Sequence, residues 1–182
     1  RTASYDSLAQ VNQYATDKER YFIIDSSIRT YNVIQNTGTT GKTGSMHLVG
    51  TADNAGYKST VNYQGNYSGF IIPSDEIVTI SDVTMANGNF VAQSTRDSGG
   101  TLVNNAGTVS FTNVSFTNST GDITRSGKNI GGTVTNTNSI IPSTGKTHGI
   151  SEGLFDSNLV RNTNGNAYGG GVYNSGTISG ID

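Results

Sequence analysis

The chain has 182 residues, a formal net charge of −2 and only 13% charged residues, which speaks against a nucleic-acid-binding surface and against an acidic disordered tail. Apolar residues reach 32%, below the roughly 45–50% of an average globular domain, so a broad core is excluded and a thin one rich in backbone hydrogen bonds is expected. Cysteine is absent, which removes disulfides and thiolate metal sites.

Residues 1–20 differ from the rest. Ser4 is placed to cap a helix that carries Leu8, Val11, Tyr14 and Ala15 on one face. Such a helix suits a lid over an open sheet edge. Residues 21–75 read as irregular strands: Tyr21-Phe22-Ile23-Ile24, Ser27-Ile28, Asn32-Val33-Ile34, Met46-His47-Leu48-Val49, Thr60-Val61 and Gly69-Phe70-Ile71-Ile72. Loops rich in Gly, Thr and Asn separate them.

Residues 76–182 carry a repeat. Val78-Thr79-Ile80-Ser81-Asp82-Val83-Thr84-Met85-Ala86-Asn87 recurs 31 positions later as Val109-Ser110-Phe111-Thr112-Asn113-Val114-Ser115-Phe116-Thr117-Asn118. Gly99-Gly100-Thr101-Leu102-Val103-Asn104 matches Gly131-Gly132-Thr133-Val134-Thr135-Asn136 at a spacing of 32, and Gly169-Gly170-Gly171-Val172-Tyr173-Asn174 at a further 38. Each piece alternates apolar and polar, as half-buried strands do. Gly or Asn punctuates the junctions, where a left-handed backbone costs little. One unit of about 31 residues cannot bury its inward face alone, but stacked units can.

The reading is an all-β chain, a right-handed parallel β-helix with a short N-terminal capping helix and three strands per winding. Val78, Ile80, Val83 and Met85 should point inward over Val109, Phe111, Val114 and Phe116. Asn87 over Asn118, and Asn104, Asn136 and Asn174 in a second row, either stack as amide ladders or only tolerate turn geometry. Ile140 through Gly149 is the expected surface insertion. Ile181-Asp182 falls part-way through a winding, so continuation of the chain, or end-to-end stacking of another subunit, is expected there.

The repeats of GG-[AT]-[ILV]-x-N (Gly99–Leu102, Gly131–Val134, Gly170–Asn174), together with Phe155-Asp156-Ser157-Asn158 and the shorter Phe116-Thr117-Asn118, resemble the polymorphic membrane proteins of bacterial autotransporter type and related β-helical surface adhesins. The resemblance spans most of the chain. It implies an exported passenger segment at the bacterial outer membrane or secreted from it, a rigid rod that adheres to a host or neighbouring-cell surface protein or glycan. No catalytic residue carries over, and no cofactor is implied.

Other chemistry has thin support. Gly41-Lys42-Thr43 and Gly145-Lys146-Thr147 end like a phosphate loop, but its leading Gly is replaced by Asn36 and Ile140. His47 and His148 lack ligand partners at helical spacing and read as solvated loop residues. Asp53-Asn54 and Asp75-Glu76 read as exposed turn carboxylates rather than a calcium site. A polysaccharide lyase or glycosidase is the enzymatic alternative, and the acidic residues are scattered for it. A self-assembling surface unit is the other alternative. Tyr57, Tyr63 and Tyr67 lie within eleven residues and suit carbohydrate or protein contact; packing over an early winding is the plainer reading.

Overall fold

A computed structural model describes residues 7–13, 19–40, 44–92, 101–128, 132–140 and 155–178. Helix α1 (Leu8–Gln13) precedes the first winding, which holds β1 (Glu19–Ile23), β2 (Thr30–Asn32) and β3 (Gly38–Thr39). The second winding holds β4 (Gly44–Val49), β5 (Ser59–Asn62) and β6 (Phe70–Ile72). The third holds β7 (Glu76–Ala86), β8 (Asn89–Ala92) and β9 (Val103–Asn105), and the fourth holds β10 (Thr108–Thr117), β11 (Thr120–Lys128) and β12 (Val134–Asn136). The fifth holds β13 (Ser139–Ile140), β14 (Phe155–Asp156), β15 (Leu159–Asn166) and β16 (Val172–Asn174), after which β17 (Thr177–Ile178) opens a sixth.

Sheet neighbours are one winding apart in sequence: β1-β4-β7-β10-β13-β17, then β8-β11-β15, and β3-β6-β9-β12-β16. All these ladders are parallel. That arrangement is a solenoid, since each strand meets only the windings before and after it. The chain is an all-β parallel β-helix with one short helix near its N-terminus.

The long strands bend. Asp82 (φ 57) and Asn113 (φ 52) adopt the left-handed backbone in mid-strand, and Asx residues are among the few that do so at low cost. Each bend turns one strand into two straight halves on adjacent faces. The middle windings therefore have four straight segments, not the three expected. The bend also explains the inward spacing of 78, 80, 83 and 85: alternation restarts after the corner residue.

Inward rows run along the axis. Val78 pairs with Val109, Ile80 with Phe111, Val83 with Val114 and Met85 with Phe116, as expected, and all eight are buried. Phe116 stacks on Phe155 at 4.9 Å and meets Phe111 edge-on at 5.2 Å. Burying each such side chain contributes roughly 1.5–3 kcal/mol. This row of large apolar groups replaces the broad core that the composition denies.

In the helix, Ser7 provides a cap: its Oγ accepts from Gln10 N at 3.2 Å. Leu8 and Val11 are buried on the expected face. Ser4, Tyr14 and Ala15 lie outside the described residues. Ser27-Ile28, expected as a strand, is instead part of a turn. The Asp25 carboxylate accepts from Ser27 N at 2.8 Å, and its carbonyl accepts from Ile28 N at 2.9 Å.

The windings settle into a regular step only in their middle. Strand offsets are 26 between β1 and β4 and 24 between β5 and β7, but 31 for each of β7/β10, β8/β11 and β9/β12. The offset is still 31 at Ile140 and has become 39 at Phe155, so eight extra residues fall between them. Most of the expected insertion, and the whole Gly145-Lys146-Thr147 motif, lies outside the described residues, as does Gly41-Lys42-Thr43.

Candidate functional site

Two amide ladders follow the axis. In the first, Asn105 Nδ2 donates to Asn136 Oδ1 at 2.7 Å, and Asn136 Nδ2 donates to Asn174 Oδ1 at 2.7 Å. Asn105, not Asn104, is the member of this row. Strand register pairs Asn136 with Asn105 and Val134 with Val103, so the first two copies matched by letter are one residue out of phase with the sheet, whereas the match of Val134 and Asn136 to Val172 and Asn174 keeps register. Leu102 and Val103 are both buried and fix the true phase.

The second ladder is outward. Asn87 Nδ2 donates to Asn62 Oδ1 at 2.9 Å, and Asn62 Nδ2 donates to Asn32 Oδ1 at 2.9 Å. The expected Asn87–Asn118 pair shares a corner position instead, both residues having positive φ (59 and 52). Each sits in a two-residue corner between β7 and β8 or between β10 and β11. Ser157 (φ 55) repeats the corner between β14 and β15. Asn158 then ties it to the previous winding: its Oδ1 accepts from Ser119 N at 3.0 Å and its Nδ2 donates to the Phe116 carbonyl at 3.0 Å. That is the physical content of the Phe155-x-x-Asn158 element. Phe155 packs against the core, and Asn158 locks the turn.

Beside this corner lies an open groove of about 720 Å³, within the range of small-ligand sites. Asn62, Gln64 and Gly65 line it from the second winding, and Asn87, Gly88 and Asn89 from the third. Asn118, Thr120 and Asp122 line it from the fourth, and Arg161 from the fifth. Asp122 Oδ2 accepts from Arg161 Nη2 at 3.2 Å, an exposed pair that joins two windings. Gln64 is held by a bond from its Nε2 to the Val33 carbonyl at 2.8 Å. The walls offer carboxamides, one hydroxyl and one self-neutralising ion pair, and they can form many directional hydrogen bonds with a polar ligand.

The three tyrosines do not converge. Tyr63 is wholly buried in the core, and burial raises its hydroxyl far above the ordinary range. Tyr67 is half-buried and packs against the core. Tyr57 faces outward, donating to the Arg29 carbonyl at 2.8 Å with the Arg29 guanidinium 4.4 Å from its ring centre.

Two outward polar chains also emerge. His47 lies on β4, not in a loop: Nδ1 is 2.6 Å from Thr79 Oγ1, Nε2 is 3.2 Å from Glu19 Oε1, and the ring stacks on Tyr21 at 4.4 Å. The Tyr21 hydroxyl bonded to Glu19 lowers that carboxyl below its ordinary range, with His47 helping, and the same bond raises Tyr21. Lys58 donates to Ser115 Oγ at 2.5 Å. Partial burial lowers its amine, and Asp82 acts against that shift. Hydroxyl–imidazole and hydroxyl–amine pairs have the look of nucleophile and base. Thr79 and Ser115 both project from outward strand positions, and Thr79 has a paired strand on each side.

Asp53 caps its own turn, accepting from Ala55 N at 3.0 Å and Tyr57 N at 2.9 Å. Glu76, expected in an exposed turn, is fully buried and paired with Arg20. Burial raises its carboxyl, with the Arg20 guanidinium opposing. No group of three metal-ligating side chains occurs among the described residues. His148 lies outside them.

Sequence reasoning marked Asn87 and Asn118 as corner residues but not as groove walls. Gln64, Asp122 and Arg161 gave no signal, because nothing local joins positions so far apart in the chain. No family model, curated protein or solved structure matches the chain.

Proposed function

We propose that the chain is a binding rod, an adhesin-like passenger segment displayed at or released from a bacterial surface, and that it contacts its partner through the corner groove. The observation that carries this reading is the groove itself. It crosses four windings, and three of its carboxamides, Asn62, Gln64 and Asn87, are set by the ladder and backbone bonds behind them. Side chains already ordered lose little freedom when a ligand arrives. The stiffness of a stacked solenoid suits reach and presentation.

Among the described residues the lining has one carboxylate, Asp122. Hydrolysis of a glycosidic bond by the usual route takes two facing carboxyl groups roughly 5–9.5 Å apart, so binding is preferred over cleavage. The test is adhesion of the purified chain to immobilised host and bacterial surface material. Asn118→Gly and Arg161→Gln should weaken it, whereas Tyr57→Phe, on another face, should not. Equal binding by all variants overturns the groove as the contact.

A further inference from the structure

We propose that the groove holds an extended, neutral glycan laid along the helix axis, with one sugar facing each winding. This rests on the groove being the binding site. The axial order of the lining is the first support. Asn62 and Gln64 are followed by Asn87 and Asn89, then Asn118, Thr120 and Asp122, then Arg161. Strand register ties the windings together, since Asn89 pairs with Thr120 and, two residues further along the same strand, Asp122 pairs with Arg161, so the row climbs the axis on a slant. Adjacent parallel strands lie about 4.8 Å apart, which is close to the length that one pyranose adds to an extended chain. Three such steps from the second to the fifth winding span roughly 14 Å, so an oligosaccharide stays in phase with the wall over its whole length.

Chemistry is the second support. A carboxamide carries both donors and an acceptor and meets the paired hydroxyls of a sugar from one side. The outward ladder fixes Asn62 and Asn87 before any ligand arrives. Among the described residues the lining contributes no aromatic ring and no large apolar side chain, which disfavours a peptide that anchors by burying side chains. Its charges cancel, because Arg161 is already paired with Asp122. That favours neutral sugars over uronates.

The test is a titration, followed by amide NMR shifts and calorimetry, with neutral gluco-, manno- and chito-oligosaccharides of two to six sugars. Oligouronates of the same lengths serve as the charged comparison. At least one neutral series should tighten by roughly threefold to tenfold per sugar, the yield of about one net hydrogen bond, and level off at four. Asn118→Gly, which suits the local φ of 52, and Thr120→Val should each weaken tetrasaccharide binding about tenfold while leaving the melting temperature unchanged.

Affinity that does not change beyond a single sugar overturns the one-sugar-per-winding register and leaves the groove as a site. Tighter binding of oligouronates overturns the neutral assignment. Binding unaffected by both substitutions, or none with any series, overturns the proposal. The surface-adhesion assay with Arg161→Gln then judges the groove separately.

Discussion

Asn136 is the residue on which the interior ladder turns. It is fully buried. Its Oδ1 accepts from Asn105 at 2.7 Å, and its Nδ2 donates to Asn174 at 2.7 Å and to the Thr177 carbonyl at 3.3 Å. Asn136→Ala removes both short bonds. Each contributes about 1 kcal/mol net, and the lost packing and the weakened Thr177 carbonyl add to that, for a total of about 2–3 kcal/mol. At about 2–4 °C per kcal/mol for a chain of this size, the melting temperature should fall by roughly 4–12 °C. Asn174→Ala, at the exposed end of the row, loses the 2.7 Å bond from Asn136 and two exposed bonds with Gly176 at 3.0 and 3.2 Å, but water replaces these partners and the cost should stay at about 1 kcal/mol. Urea titrations followed by far-ultraviolet circular dichroism would compare the two at constant m-value. If the two variants lose the same stability within about 0.5 kcal/mol, the ladder is an ornament of the turn and the reasoning fails.

The buried Arg20–Glu76 pair gives a second expectation. Arg20→Met alone should cost about 3–5 kcal/mol by stranding a carboxylate, while Arg20→Met with Glu76→Leu should be near neutral or more stable; denaturation of both variants checks the order. Tyr63 ionises with difficulty because it is buried, so its folded-state pKa lies above the ordinary 10.0. Its contribution is therefore complete below pH 10.0 and is lost as pH rises through the raised value. Phenolate absorbance should show one tyrosine that ionises only on unfolding, and Tyr63→Phe should abolish that late step. A methyl group added at Gly69 meets the Leu102 backbone carbonyl, whereas at Gly170 it makes only ordinary contact, with the Asn158 carbonyl at 3.5 Å. Gly69→Ala should therefore cost more than Gly170→Ala, by about 1–3 kcal/mol of overpacking, in parallel melts.

The fold was legible because the solenoid writes its geometry into the sequence at a fixed step. Val78 and Val109 are 31 positions apart and are bonded neighbours in space. The same step relates Asp82 to Asn113, whose Nδ2 donates to Asp82 Oδ1 at 3.0 Å. The Gly-Gly element misled by one residue, because identical letters need not share a sheet position when the buried side chains set the phase. The groove was not legible. Asn62, Asn118 and Arg161 lie on three different windings, and no local spacing announces that their side chains share one outward wall. The tyrosine cluster follows the plainer of its two readings: Tyr63 and Tyr67 are close in sequence and both turn toward the core.

Two corners of the windings divide the work. At the first corner, chain length varies freely. Six residues separate β1 from β2 and nine separate β4 from β5, whereas Asp82 or Asn113 alone makes the bend in the next two windings. The eight-residue excess of the fifth winding also falls on the stretch that includes this corner. Lengthening a loop there costs little, because closure entropy grows only logarithmically. At the second corner, Asn87-Gly88, Asn118-Ser119 and Ser157-Asn158 hold a constant two residues between strands. An added residue there would slip the neighbouring strand and turn its inward side chains out. It would also break the bonds of Ser119 and Asn158 to the adjoining windings. The groove sits at the corner whose length is held constant, and the most variable loops sit at the other. A surface that recognises a repeating ligand needs the first property, and a rod that presents changeable contacts needs the second.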